Sequence, residues 1–241
     1  MIKKQKAIPR IDYGKLMQQT AYGRSRPESS GPYTQIYLVR HCKPDYDQQH
    51  LVGDHNMPLD KIGLKQRKLL NKKLLSLKDI QIVYTSELLR AQQTAEIFLK
   101  KRKLEPIIDK RFNEVDWTEW YKMKYFNMSE KTRIKKVKAY QEMDKRLNIL
   151  QAKFRKILAD VWQKNKGKNV MIFCHGNVIR SMLTSILNTD IIGFLSIELY
   201  QSSISKIVID KNGYVKINYI NNIGHLPHRP AEDLFKFALE Q

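Results

Sequence analysis

Four segments of the chain carry side chains suited to moving a phosphoryl group: Arg40-His41, Arg90, Glu114 and His175-Gly176. A neutral imidazole is a competent nucleophile, arginine forks bind oxyanions bidentately, and a glycine at a helix start adds backbone donors. A carboxyl whose pKa is raised can serve as acid and then as base. This set requires neither a metal nor an organic cofactor. His41, Cys42, His50, Asp54 and His55 fit no common zinc-ligand spacing. Asp116 and Glu119 lie close enough to Glu114 in sequence to compete for the acid role.

These residues fall at the ends of predicted elements. Ile36-Tyr37-Leu38-Val39 is a β-branched and apolar run of the kind that makes a buried strand, and Arg40-His41 follows it. Ile82-Val83-Tyr84 predicts a second strand, with Arg90 early in the helix from Glu87 to about Lys100. A short strand is possible at Pro106–Ile108, after which Glu114 sits in an irregular, aromatic-rich stretch. Val170-Met171-Ile172-Phe173 predicts a further strand, and His175-Gly176 follows it to open a helix around Val178–Leu187. Another helix starts after Asp60 as N-cap, with Ile62, Leu64, Leu69, Leu70 and Leu74 at helical spacing. Residues 129–164 read as a lysine-rich helical region broken at least once, and strands near Ile204–Ile209 and Tyr214–Ile220 flank an Asn212-Gly213 hairpin turn. The pattern predicts a three-layer α/β sandwich with a mostly parallel central sheet, in which ligands bind beyond the carboxyl ends of the strands.

The ordered motifs resemble the histidine phosphatase superfamily, also called phosphoglycerate mutase-like, over about Ile36–Leu226. Leu38-Val39-Arg40-His41 resembles its Arg-His-Gly signature, Pro58-Leu59-Asp60-Lys61-Ile62-Gly63 its Leu-Thr-x-x-Gly segment, Ser86-Glu87-Leu88-Leu89-Arg90-Ala91 its Ser-x-x-x-Arg-Ala segment, and His175-Gly176 its second His-Gly. The resemblance implies that His41 takes the phosphoryl group and that Arg40, Arg90 and His175 bind its oxygens. Asp47 and Gly176 would also face the substrate, and Glu114 would protonate the leaving oxygen and then activate water. The chain departs from the family in having Cys42 for glycine, Pro44 for a hydroxyl residue, Asp47 for asparagine, and Thr118, Tyr121 and Lys122 in the acid segment, where Trp120 is kept. The implied activity is hydrolysis of a small phosphorylated substrate through a phosphohistidine. A cofactor-dependent phosphoglycerate mutase-type transferase is the alternative, disfavoured because Phe112-Asn113-Glu114-Val115-Asp116 lacks the mutases' Glu-Arg-His-Tyr-Gly segment. A weakly active phosphatase-fold binding module is a further alternative, motivated by the same substitutions.

The 241 residues suit one large domain, with 42% hydrophobic and 10% aromatic content excluding disorder for most of the chain. Residues 1–33 read as a basic flexible extension, and 34–241 as the phosphatase domain with a helical insertion around 115–165. No apolar stretch reaches the ~20 residues of a bilayer span, and no secretory leader is evident. The net charge of +20 attracts anions, but neither an RNA-binding signature nor zinc-finger spacing is present, so nucleic acid is not an expected partner. Oligomeric state is not legible. Two cysteines make no disulfide framework, which with the missing leader points to the cytoplasm. Cys42 follows His41 and Cys174 precedes His175, and two small side chains buried behind the pocket are the favoured reading. The alternative, on the parallel neighbouring strands that the resemblance implies, is a pair of thiols near bridging range with arginines favouring the thiolate. His225 is expected either to approach the pocket or to cap the last strand.

Overall fold

The computed structural model describes residues 31–117, 129–139 and 141–227. Six strands form one sheet: β1 (Thr34–Arg40), β2 (Ile80–Thr85), β3 (Ile107–Ile108), β4 (Asn169–Cys174), β5 (Ile204–Ile209) and β6 (Val215–Asn222), in the order β3-β2-β4-β1-β5-β6. The first four are mutually parallel, β5 runs antiparallel to β1, and β6 runs antiparallel to β5 and so along the direction of β1. Besides a single α-helical turn at Gln49–Val52, the helices are α1 (Lys61–Leu75), α2 (Leu89–Arg102), α3 (Glu130–Ala139), α4 (Gln141–Lys164), α5 (Gly176–Leu187) and α6 (Ile191–Ser196). None of the described helices is long and apolar enough to cross a membrane.

The strand alternation sorts side chains into two cores. Ile36 and Leu38 of β1 join Ile172 and Cys174 of β4 in a core with α4 and α5, through Phe154, Val161, Ile179 and Met182. Tyr37 and Val39 point the other way and pack with Met171, Phe173, Leu70, Leu74 and Phe98 under α1 and α2. Both faces of β1 and β4 are therefore covered, which explains their nearly unbroken apolar sequences. Helix α4 is a full member of one layer.

Several expectations about the elements are refined. Asp60 caps α1 by accepting from the Gly63 amide at 2.6 Å. Yet Ile62, Leu64 and Leu69 are exposed, and the buried face of α1 is made by Gly63, Gln66, Leu70, Asn71 and Leu74. The polar members are buried because they have work there. Gln66 accepts from the Lys43 amide at 2.8 Å, and a Cβ at Gly63 would fall 2.0 Å from the Lys43 carbonyl. The last strand runs Val215–Asn222 rather than Tyr214–Ile220, because Tyr214 stays in the turn, its amide bound to the Asp210 carboxylate at 2.9 Å.

Both cysteines are buried packing residues, as the favoured reading has it, and the bridging alternative fails. Cys174 belongs to the α4/α5 core and Cys42 to the α1/α2 core, on opposite faces of the sheet. Side chains that alternate along strands cannot bridge through the sheet. Burial also pushes the Cys42 thiol up to about 12 and raises Cys174 further, so neither thiolate is favoured.

Candidate active site

Arg40 ends β1, Thr85 ends β2 and Cys174 ends β4, and the register Arg40↔Cys174 and Thr85↔Phe173 sets these three carboxyl ends nearly level. The chain leaves each end carrying one reactive segment.

His41 is 3% exposed, and its amide donates to the Cys174 carbonyl at 2.9 Å. Its Nδ1 lies 2.7 Å from the Cys42 carbonyl. A carbonyl only accepts, so the proton sits on Nδ1 and Nε2 keeps its lone pair. Burial, and then His175, Arg90 and Arg40, push its pKa well below the usual imidazole value. The ring is neutral and its tautomer is that of a nucleophile.

His175 is the N-cap of α5, wholly buried, with its ring centroid 5.0 Å from that of His41. Burial, Arg90 and Arg40 hold it neutral as well. Its Nε2 is 2.8 Å from the Ser86 hydroxyl, which already accepts from the Leu88 amide at 3.3 Å. The hydroxyl is able to donate to Nε2 or to accept from it, and when it donates the imidazole proton sits on Nδ1. That buried Nδ1 has no protein partner among the described residues, and in this tautomer its N–H is a donor for an oxyanion beside His41.

Both arginines are fixed by backbone. Arg40 donates through Nη1 to the Leu199 carbonyl, and its guanidinium lies over Gly176, where a Cβ would approach Cζ to 3.2 Å. Glycine at 176 is what lets the cation reach the start of α5. Arg90, 4% exposed, donates to the Asp54 carbonyl at 2.7 Å and meets its carboxylate at 3.1 and 3.2 Å. Thr94 joins the nucleophile loop to α2, accepting from the Cys42 amide at 3.0 Å and donating to the Arg90 carbonyl at 2.7 Å.

Glu114 stands between two anchored aromatics, Phe112 against Tyr84 and Trp117 against Phe194. Asn113 fixes its approach by exchanging two bonds with Glu87, at 2.9 and 2.8 Å. Burial raises the Glu114 pKa, overcoming the Val115 amide and the fields of Arg40, Arg90 and Arg180, all of which lower it. Asp116 is exposed, and Thr118 through Lys122, including Glu119 and Trp120, lie outside the described residues.

Arg40, His41, Arg90, Glu114, His175 and Gly176 are thereby drawn to one end of the sheet. Asp47 is exposed on the helical turn Tyr46–Gln48, and no hydrogen bond or ion pair among the described residues joins it to them. His225 packs behind the nucleophile: its Nε2 is 3.2 Å from the Ser202 hydroxyl, and the Ser202 amide donates to the His41 carbonyl at 3.1 Å. Burial and Lys73 lower its pKa to about 4. His50 and His55 are exposed.

Three functional neighbours escaped the sequence reading. Ser86 was visible within its motif but had no stated role, and Asp54 gives no local signal of its pairing with Arg90. Arg180 had a signal, a lone charge in Val178-Ile179-Arg180-Ser181-Met182. It is 3% exposed and donates to the Ile197 carbonyl at 3.0 Å and Asn177 Oδ1 at 2.9 Å, while Asn177 donates to the Val115 carbonyl at 3.2 Å. This chain of contacts ties α5 to the segment that carries Glu114.

A sequence model of the histidine phosphatase superfamily (branch 1) matches residues 36–222. The serine/threonine-protein phosphatase Pgam5, mitochondrial, of Caenorhabditis elegans is 29% identical over 236 residues, covering 91% of this chain and 75% of that protein. The uncharacterized phosphatase PhoE of Bacillus subtilis is 32% identical over 161 residues, covering 65% and 79%. Among solved structures, a mutant phosphoserine phosphatase of Entamoeba histolytica in complex with phosphoserine superposes with a TM-score of 0.62 at 18% identity, covering 80% of this chain and all of that one. YhfR of Bacillus stearothermophilus gives 0.61 at 22% identity, covering 80% and 98%. The structural likenesses concern the fold.

Proposed function

This chain belongs to the histidine phosphatase superfamily, and from that premise we propose that it hydrolyses a small phosphorylated substrate through a phosphohistidine at His41. The observation that carries the reading is the 2.7 Å contact of His41 Nδ1 with the Cys42 carbonyl, which leaves Nε2 as the nucleophilic atom beside His175. In the first step Nε2 forms a bond to phosphorus and the ester P–O bond breaks, with the Glu114 carboxyl giving its proton to the leaving oxygen. In the second step the Glu114 carboxylate takes a proton from water, whose oxygen bonds to phosphorus as the N–P bond breaks and phosphate is released. Arg40, Arg90 and the Nδ1–H of His175 supply positive charge and donors to the phosphoryl oxygens in both steps, without reorganising.

The test is an acid-labile, base-stable phosphoryl adduct trapped during turnover of an aryl phosphate in EDTA, present in the wild type and absent in His41→Ala. Label on serine, cysteine or aspartate, or inhibition by EDTA, would overturn the reading. Transfer of the trapped group to a phosphoglycerate in preference to water would make the enzyme a mutase instead.

A further inference from the structure

The charge of the chain is not spread evenly over the fold. The connections into β2 and β4 run along the sheet edge opposite the candidate active site, because Gln35, Ile80 and Asn169 begin their strands in common register. The connection into β3 starts at that edge, where Arg102 meets the end of α1, and leaves it to reach Ile107, which pairs with Tyr84 near the carboxyl end of β2. Helix α1 reaches that edge with exposed Lys72 and Lys73, and Lys78 follows before β2. Helix α2 reaches it with Lys100 and Lys101, and Lys103 follows in the left-handed turn that ends the helix. Past the end of α4, Lys166 and Lys168 are exposed before β4. Among the described residues none of these lysines forms an ion pair, and the exposed carboxylates of the same three connections are Asp79 and Glu105. A helix C-terminus favours nearby cations but needs only one or two. The exposed cations of three connections on one edge exceed that need.

The chemistry of this edge narrows its partner. Its arginine, Arg102, is turned inward, donating to the Leu75 and Leu77 carbonyls at 2.8 and 2.7 Å, so no fork is presented for bidentate phosphate reading. What remains is a field of ammonium charges on flexible stems, which suits a diffuse anionic surface. Aromatic side chains of the kind found at membrane interfaces stand beside it. Tyr214 is exposed in the hairpin turn, and Trp162 lies against Gly213 with Lys166 Nζ 4.8 Å from its ring centre. The described residues begin at the same edge, where Pro32 approaches Gly167.

We propose that this edge docks the enzyme on a lipid surface rich in anionic headgroups, with the active site facing away from the bilayer. The strands of about six residues set the site roughly 20 Å from the docked edge, at ~3.3 Å per residue.

The test is co-sedimentation of the full chain with phosphatidylcholine vesicles that contain, or lack, about 30 mol% phosphatidylserine at about 0.15 M salt. Binding is expected only to the anionic vesicles. The variant K72Q/K100Q/K101Q/K103Q should bind them at least about 20-fold more weakly, since each lysine near such a surface is worth about fivefold, while its aryl phosphatase activity stays within about twofold of wild type. Equal binding to both vesicles, or binding by the variant within twofold of wild type, would overturn the proposal. So would tighter binding to a DNA duplex than to the anionic vesicles at the same salt, which would make nucleic acid the partner. Because phosphatase activity is read separately, loss of activity in both proteins would count against the catalytic reading and leave the docking result to stand by itself.

Discussion

The two ends of the parallel strands handle charge in opposite ways. At the carboxyl ends, Arg40, Arg90, His41 and His175 are buried or nearly so, and each is fixed by a carbonyl, a hydroxyl or a carboxylate. At the amino ends, Lys72, Lys73, Lys100 and Lys101 are exposed and unpaired among the described residues. Burying a charge is costly unless its donors are satisfied, so the catalytic end is rigid and intolerant of substitution. The lysine end carries more formal charge yet contributes little to folding, because exposed charges interact weakly across water. Formal charge therefore says little about where the chemistry lies, and desolvated charge says a great deal.

The sharpest break should come from the nucleophile. His41→Ala is expected to lower turnover at least about 10³-fold while the fold survives, which steady-state kinetics and circular dichroism would check together. Glu114→Gln comes next. Alkyl phosphates should slow about 10²–10⁴-fold and nitrophenyl phosphate far less, since a good leaving group needs little protonation. The raised Glu114 pKa keeps the acid form populated above the ordinary carboxylate range, so activity on alkyl esters should fall as pH rises past it, and the Gln variant should lack that limb. Equal losses on both esters would move the acid role to Asp116 or Glu119.

The two histidines sharpen the comparison within the catalytic end. The His41 tautomer is set by the Cys42 carbonyl, which no side-chain change removes, whereas that of His175 depends on the Ser86 hydroxyl. Ser86→Ala should therefore cost on the order of 10-fold in kcat, with Ser86→Thr restoring it. Nitrogen-15 spectra of the imidazoles should show His175 losing its Nδ1–H form while His41 is unchanged. Both histidines also tie stability to pH. Unfolded imidazole titrates near 6.5 and the folded rings stay neutral well below that. The unfolded chain thus binds more protons, and stability falls as pH drops from about 6.5 toward the depressed folded values, by at most ~1.4 kcal/mol per pH unit for each ring. Above about 6.5 this contribution is whole. Thermal melts from about pH 7 to pH 5 should show a shallower slope in His41→Ala.

The legible part of this molecule was the part repeated in local pattern. The apolar runs of β1 and β4 mark strands covered on both faces, and Asp60, Asn212 and Gly213 mark a cap and a turn by backbone chemistry alone. The reacting residues were legible because each sits one or two positions past such an element. What sequence could not supply was facing. Cys42 and Cys174 look adjacent to the same chemistry, but the sheet places them on opposite sides. Asp54 and Ser86 act through partners 36 and 89 residues away, a separation that no local period encodes. The inward polar face of α1 was hidden for the same reason, since Gln66 is buried by what Lys43 requires of it.

The smallest effect is expected at the other end, from removing residues 1–30. The structure fixes where such a cut belongs. Thr34 is fully buried, its hydroxyl donating to the Asn165 carbonyl at 3.3 Å and accepting from the Gly167 amide at 3.0 Å, so a cut through residue 33 would strip the neighbour of a buried position. Ending the deletion at Ser30 spares Pro32, which lies beside Gly167. The segment removed is poor in apolar side chains and can add little to either core. Aryl phosphatase kcat/KM should stay within about twofold and Tm within a few degrees, as for surface changes generally. A fall in Tm of about 10 degrees or more would mean several kcal/mol lost. That result would place Ile8, Ile11, Tyr13, Leu16 and Met17 against the fold as an added element, and the lysine end would no longer count as the part of the molecule where charge is cheap to remove.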